Sequence, residues 1–357
     1  MRKPGFSATT VLLALALAGC KSGSGGVVDQ ATVERGDSGA YTLSWNPVGG
    51  PVDVYVADRA DAPKEAMRLL VDDDTDGKAS VTLEGKDRPY FYVTADGGSG
   101  LWTAERVLPL EGGRNFRDLG GYATADGKRV KWGKVFRSGS MAGLTPADYQ
   151  YLGKLGIQSV CDLRTSHERS AEPNAWVEAA NIAYWTRDYD MSGGDLAAMQ
   201  KKGATAEQMK QAMTAMYREL PMEQAPAYRE IFEHLAAGKI PLAFNCSAGK
   251  DRAGTAAALI LSALGVPDET VFADYAMSEK VLDFEKMMRQ SRDSQALGPM
   301  AKLPPEAIQP LLASDPAYIK AAFAAIREQY GSVPNYLRDK LGITDAQLAK
   351  IRTDLLE

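Results

Sequence analysis

The stretch FNCSAGKDRAG, Phe244 to Gly254, follows a short apolar run, IPLAF, and leads into an alanine-rich one, GTAAALILSALG. The first run predicts a strand, the second a helix, and the glycine-bearing segment between them a loop. Cys246 and Arg252 stand at opposite ends of that loop, with Gly249, Lys250 and Asp251 between them. A strand entering a helix through such a turn aims successive backbone N–H groups at one point, and the helix N-terminus adds partial positive charge there. A tetrahedral oxyanion fits that nest. Arg252 can hold two of its oxygens through a planar guanidinium, and the same field favours a thiolate at Cys246, placed to attack in line. Cys-x5-Arg alone is a weak signal. Between a strand and a helix it becomes a strong one, for covalent phosphoryl transfer through a phosphocysteine.

Around this loop strands alternate with helices. GIQSVCDLR reads as a buried strand after the amphipathic TPADYQYLGKLG, with NIAYWTR as a second strand and IPLAFN as a third. TAEQMKQAMTAMYREL, AYREIFEHLAAG and the tail from about 303 read as helices, the last ending in ITDAQLAKIRTDLL with Thr344 or Asp345 as its cap. Such alternation predicts an α/β layer with a mainly parallel sheet.

Residues 27–108 have a different texture. YTLSW, VDVYVA, ASVTLEG and PYFYVTA are short alternating runs separated by turn-rich segments, which predicts an all-β sandwich. Trp45 in an early strand and Tyr90 to Tyr92 in a late one make it similar to a fibronectin type III-like domain. Asp72, Asp74, Asp76 and Gly77 copy the opening of a calcium-binding loop, but Leu83 stands where its closing carboxylate is needed, so a solvated acidic turn is expected.

Arg2 and Lys3 precede the apolar run VLLALALAG, which is too short to span a bilayer and reads as a processed signal over 1–19. Leu17-Ala18-Gly19-Cys20 resembles a bacterial lipobox, which implies lipidation at Cys20 and a lipoprotein facing the periplasm or cell surface. Lys21 after the cysteine points to the outer membrane, and residues 20–26 make a flexible tether. The 45% hydrophobic and 24% charged composition supports packed domains, and the net charge of −5 argues against nucleic acid. Cys161 and Cys246, left once Cys20 is lipidated, are too few for a disulfide framework.

CSAGKDRAG resembles the signature loop of the cysteine-dependent protein tyrosine phosphatase superfamily, and its GKDR wording the bacterial, lipid-phosphatase-like branch. GGRNFRDLGGY at 112–122, FRSGSM at 136–141, CDLRTSHER at 161–169, DYAMSEK at 274–280 and YGSVPNYLRDKLGIT at 330–344 resemble that branch's other motifs in order. The resemblance implies a catalytic domain over 109–357, with Cys246 as nucleophile and Arg252 as transition-state clamp. It implies a phosphate cradle from Ser247, Ala248, Gly249, Lys250, Ala253 and Gly254, and Asp251 as general acid, with no metal and no cofactor. Asp162, Asp188 and Asp190 are rival acids, Asp162 being equally readable as an ion-pair partner of Arg164. Arg117 and Asp118, with Arg114, resemble a motif near the floor of the site; Asp118 is a possible acid or support, and the two arginines could bind a second phosphate or brace the loop, bracing being the expectation. His167 and His234 lack metal-ligand spacing and are expected at the surface or at helix ends.

Two positions depart from the family pattern. Asn245 replaces the usual His before the nucleophile, and Ala253 the usual Thr or Ser after the arginine, which implies weaker thiolate support and slower breakdown of the phosphocysteine. The expected substrate is a phosphorylated protein, lipid or small molecule. The alternatives are a catalytically weak phosphate-binding pseudophosphatase, and a sulfurtransferase or arsenate reductase, against which GGRNFRDLGG counts. A protective Cys161–Cys246 disulfide and lids from 195–220 and 281–330 are further expectations.

Overall fold

The computed structural model describes residues 26–36, 38–85, 87–96, 98–190, 205–283 and 305–357. The signal segment, Cys20 and most of the tether lie outside the described residues, as do 195–204 and 284–304 of the lid candidates.

Seven strands build the N-terminal part: β1 (Ala31–Arg35), β2 (Tyr41–Trp45), β3 (Val52–Ala57), β4 (Arg68–Asp74), β5 (Lys78–Val81), β6 (Tyr90–Ala95) and β7 (Gly100–Ala104). They form antiparallel sheets in the orders β1-β2-β5 and β4-β3-β6-β7. Side chains alternate across a strand, so YTLSW buries Tyr41, Leu43 and Trp45 while VDVYVA buries Val52, Val54 and Val56. Both rows meet Phe91, Val93 and Leu101 in one core, so the two sheets pack against each other. The calcium-loop look-alike is the turn from β4 to β5, where Asp74 Oδ1 accepts the N–H of Asp76 at 2.8 Å.

The rest of the chain is built on β8 (Arg117–Asp118), β9 (Val135–Ser138), β10 (Ser159–Asp162), β11 (Ala183–Thr186) and β12 (Leu242–Asn245). Their order is β11-β10-β12-β9-β8; the first four run parallel and β8 antiparallel to β9. β9, β10 and β12 are buried along their whole length, as strands covered on both faces must be. One face, with Val135, Cys161, Leu242 and Phe244, packs on the helices Ala206–Glu223, Ala225–Ala236 and Arg252–Leu264. The other, with Phe136, Val160 and Ala243, packs on Pro146–Lys154 and Ala175–Ala179. Thr344 caps the last helix, Asp345–Leu355, by accepting the N–H of Gln347.

This topology decides where a ligand can bind. The chain runs from β9 to β10 and β11, then returns to insert β12 between β9 and β10. Strand order reverses there, and the carboxyl ends of the three strands open a crevice.

The two parts meet through a buried arginine. Arg88, just before β6, donates from Nη1 to Asp118 Oδ2 at 2.7 Å, and its guanidinium lies 5.9 Å from the Trp132 ring and 5.7 Å from that of Phe136. Trp132 Nε1 donates to the carbonyl of Trp102 on β7 at 3.0 Å.

Candidate active site

β12 delivers Cys246 into the crevice, where the residue is 1% exposed and its N–H donates to the Ser138 carbonyl at 3.3 Å. The next three carbonyls are all tied outward. That of Ser247 accepts from Ser140 N–H at 2.9 Å and Arg114 Nη1 at 3.1 Å. That of Ala248 accepts from Asn115 Nδ2 at 3.2 Å, and that of Gly249 from Asn115 Nδ2 at 3.1 Å and Arg137 Nη2 at 2.7 Å. In a planar trans peptide the C=O and the following N–H point opposite ways. Pinning these carbonyls out therefore turns the amides of Ala248, Gly249 and Lys250 into the loop, forming the anion nest. Gly249 permits the bend: its φ is +70°, and a Cβ there would lie 2.5 Å from the Gly139 nitrogen.

Arg252 opens the helix and is gripped by Glu168. Its Nη1 and Nη2 each lie 2.7 Å from a different Glu168 oxygen, and Nη1 also donates to Tyr189 Oη at 3.1 Å and the Leu163 carbonyl at 3.2 Å. The same carboxylate accepts from Ser247 Oγ and from the N–H of Thr165, closing a capping box on the helix Ser166–Ala171. Burial pushes the Glu168 carboxyl up, but the Arg252 charge and the hydrogen bonds outweigh it and hold the group at about 2. For Arg252 burial opposes the charge, and Glu168 more than restores it, raising the guanidinium above its ordinary value.

Asp251 lies at the mouth of the loop, its side chain 26% exposed and Oδ1 accepting from Tyr217 Oη at 2.6 Å. Lys250, expected in the phosphate cradle, does not bring its side-chain charge there. Its ammonium is instead buried, donating to the carbonyls of Leu311 at 2.5 Å and Ala313 at 2.9 Å, where the helix Pro305–Leu312 ends with unpaired acceptors. Ala253 is fully buried in the first helical turn. Gly254 lets the helix approach the Arg137 guanidinium and the Tyr275 ring; a Cβ there would meet Arg137 Nη2 at 3.0 Å.

The other candidate residues sort by face. Arg117 and Asp118 are neighbours on β8 and so point opposite ways. Arg117 turns toward the loop's support: it donates to Asn115 Oδ1, to the Asp274 carbonyl at 2.8 Å and to Ser278 Oγ at 3.2 Å. Burial and the nearby Arg137 charge bring it down to about 10. Asp274 also takes Arg137 at 2.6 Å and Tyr122 Oη at 2.9 Å; burial would raise its carboxyl, but the arginines hold it well below the ordinary range. Asp118 faces away from Cys246, committed to Arg88 and to the N–H groups of Gly120 and Gly133 at 2.7 Å, so it is a brace between the two parts of the chain and not an acid. Asp162 is likewise spoken for: Arg164 grips it at 2.6 Å, Tyr184 Oη donates at 2.7 Å and Asn245 Nδ2 at 3.0 Å. Asn245 thus orients Asp162, leaving its own buried Oδ1 without a partner among the described residues. Asp188 is exposed and paired with Arg169, and Asp190 is exposed.

Cys161 and Cys246 are both free thiols. Cys161 faces His234, its Sγ 3.9 Å from Nδ1, and burial raises its pKa. His167 is exposed as expected, but His234 is buried, because its helix packs that face on β10.

Sequence reasoning passed over Glu168, Tyr217, Asn115, Arg137 and Asp274. Thr165-x-x-Glu168 was readable as a capping box, and Asn115 and Asp274 lie inside motifs already noticed. Nothing in the sequence places Tyr217 near Asp251.

A thiol at the root of an amide nest, with a fork-locked arginine at the loop's far end, defines a cysteine-dependent phosphatase. The chain belongs to the tyrosine phosphatase family, whose model matches residues 108–357. A Cupriavidus necator protein described as a tyrosine-protein phosphatase is 36% identical over 240 residues, covering 66% of this chain and 84% of that one. The triple specificity protein phosphatase PtpB of Mycobacterium tuberculosis is 29% identical over 279 residues, covering 70% and 99%. Among solved structures, the core catalytic domain of the PP-IP phosphatase SIW14 from S. cerevisiae shares 16% identity and a TM-score of 0.26, covering 52% of this chain and 93% of that one.

Proposed function

We propose that this protein hydrolyses phosphomonoesters through a phosphocysteine on Cys246. The observation that carries the reading is the loop itself: three consecutive carbonyls tied outward, Cys246 at its root and Arg252 locked at its far end. The Cys246 thiolate attacks phosphorus in line; the S–P bond forms and the ester P–O bond breaks. Asp251 gives its proton to the departing oxygen. Arg252 and the amides of Ala248, Gly249 and Lys250 take up the charge on the equatorial oxygens. Water then attacks phosphorus, Asp251 recovers the proton, and the P–S bond breaks to release inorganic phosphate and the thiolate.

The relatives' names favour phosphotyrosine and allow broader phosphoester use; a phosphoinositide stays among the candidates on the resemblance of the CSAGKDRAG loop alone. The lipobox-like Leu17 to Cys20 supports a lipid-anchored enzyme outside the cytoplasm, and the paired sheets over residues 31–104 support a fibronectin type III-like spacer or docking domain. The experiment is turnover of para-nitrophenyl phosphate and a panel of phosphorylated tyrosine, serine and inositol compounds by the wild type and Cys246→Ser. Loss of all turnover in the variant, with phosphate trapped on Cys246 in acid-quenched wild type, is expected. Turnover surviving Cys246→Ser would refute the mechanism.

A further inference from the structure

The two oxygens of Asp251 are not equivalent. Oδ1 accepts from Tyr217 Oη at 2.6 Å, with Lys250 Nζ 3.4 Å away, whereas no described residue is seen to donate to Oδ2. Tyr217 is fully buried, and its hydroxyl also lies 2.6 Å from that of Tyr275. Its ring is fixed by Tyr275 edge-on at 5.8 Å and by Tyr318 at 5.5 Å. A hydroxyl has one proton, and an ionised carboxylate can only accept. Tyr217 therefore spends its proton on Asp251, and Tyr275 must donate to Tyr217. The order is Tyr275 to Tyr217 to Asp251, and each hydrogen bond polarises the next. Burial, then the Asp251 charge, raises the Tyr217 hydroxyl well above its ordinary value, so it remains a donor. A buried tyrosine needs only one partner, and Tyr275 would suffice; the second, a carboxylate in the catalytic loop, calls for a functional account.

We propose that Tyr217 is the positioning residue of the general acid: by occupying Oδ1 it leaves Oδ2 to carry the proton, aimed at the leaving-group oxygen. This rests on Asp251 being the acid. Tyr275 strengthens the hold from behind. When the ester bond breaks, the Oδ2 proton passes to the departing oxygen, and the negative charge left on Asp251 meets a donor already in place on Oδ1.

The dependence of rate on leaving group tests this, because a good leaving group departs without a proton and a poor one does not. kcat/KM for 2,4-dinitrophenyl, para-nitrophenyl and phenyl phosphate reports the step that cleaves the ester, whatever the later breakdown of the phosphocysteine. Tyr217→Phe is expected to lower kcat/KM about 10-fold for phenyl phosphate and less than about 3-fold for the dinitrophenyl ester, a fraction of the effect of a general acid. Asp251→Asn should show the same bias more strongly, and Tyr217→Phe added to Asp251→Asn should bring no further bias. Should Tyr217→Phe not fold, Tyr275→Phe carries the test with a smaller bias of the same sign. An equal loss across the three esters, or no loss, with the Asp251→Asn bias intact, overturns the proposal and leaves Asp251 as the acid. Absence of bias in Asp251→Asn overturns the acid assignment, and this proposal with it.

Discussion

Glu168 and Arg252 meet fork to fork, Nη1 and Nη2 each 2.7 Å from a different carboxylate oxygen. Because Glu168 also accepts from Ser247, one carboxylate ties the beginning of the catalytic loop to its end. Glu168→Gln keeps the size and the cap but loses the charge. Its kcat/KM on para-nitrophenyl phosphate should fall about 100-fold, as expected for misplacing the group proposed to grip the transition state. Arg252→Lys, which cannot form the fork, should fall at least as far. Wild-type kcat/KM in Glu168→Gln would refute this role.

The same carboxylate makes stability depend on pH. Its native value of about 2 lies below the ordinary 4.5, so in acid the unfolded chain binds this proton before the native protein does. The stabilisation is complete above about 4.5 and is lost as pH falls toward 2. Urea midpoints measured between pH 6 and pH 3 should decline, and Glu168→Gln should flatten that decline. Identical slopes in the two proteins would contradict it.

Lys250 fastens the catalytic loop to the end of the helix Pro305–Leu312. Lys250→Met leaves two carbonyls without their donor, at a cost of about 1–3 kcal/mol each. Thermal unfolding should shift down, and hydrogen exchange should speed up in 305–313 more than in the β-sheet. Uniform exchange would show that the ammonium does not hold this helix.

Arg88 and Asp118 form a buried ion pair between the N-terminal sheets and the α/β part, at 2.7 Å. Arg88→Met strands the carboxylate and should cost about 3–5 kcal/mol in denaturant unfolding. Adding Asp118→Asn should return part of it. If the double variant is as unstable as the sum of the two singles, the pair is not coupled.

Ala253 stands in the first turn of the helix that carries Arg252, at the position where the family resemblance implies a hydroxyl that helps the phosphocysteine break down. Stopped-flow measurement on the wild type should show a burst of about one product per enzyme before slow turnover. Ala253→Ser should raise the steady rate and shrink the burst. Linear time courses in both proteins would place the slow step elsewhere.

What the sequence made legible follows from how local each signal is. β10, β12 and the helix Arg252–Leu264 could be read because their apolar runs and the glycine loop are contiguous. β4 could not, because its edge position lets it expose Leu69 and carry Asp72 to Asp74, which mimic a loop. β8 is two residues long and has no periodicity to detect. Within the site, the loop was legible and its supports were not: Asn115 and Tyr217 reach it from far along the chain, and Asp274 through Arg137, by contacts only the fold creates. Asp118 was misplaced for a physical reason, since strand alternation sends it and Arg117 to opposite sides.

The loop's outward carbonyls have an evolutionary consequence. The anion is held by main-chain dipoles, which no codon change can delete while the trace of the chain survives. The main-chain share of the affinity for phosphate therefore travels with the shape of the loop. The side chains that neither tie those carbonyls nor grip the anion are where descendants can diverge in what else they demand of a substrate.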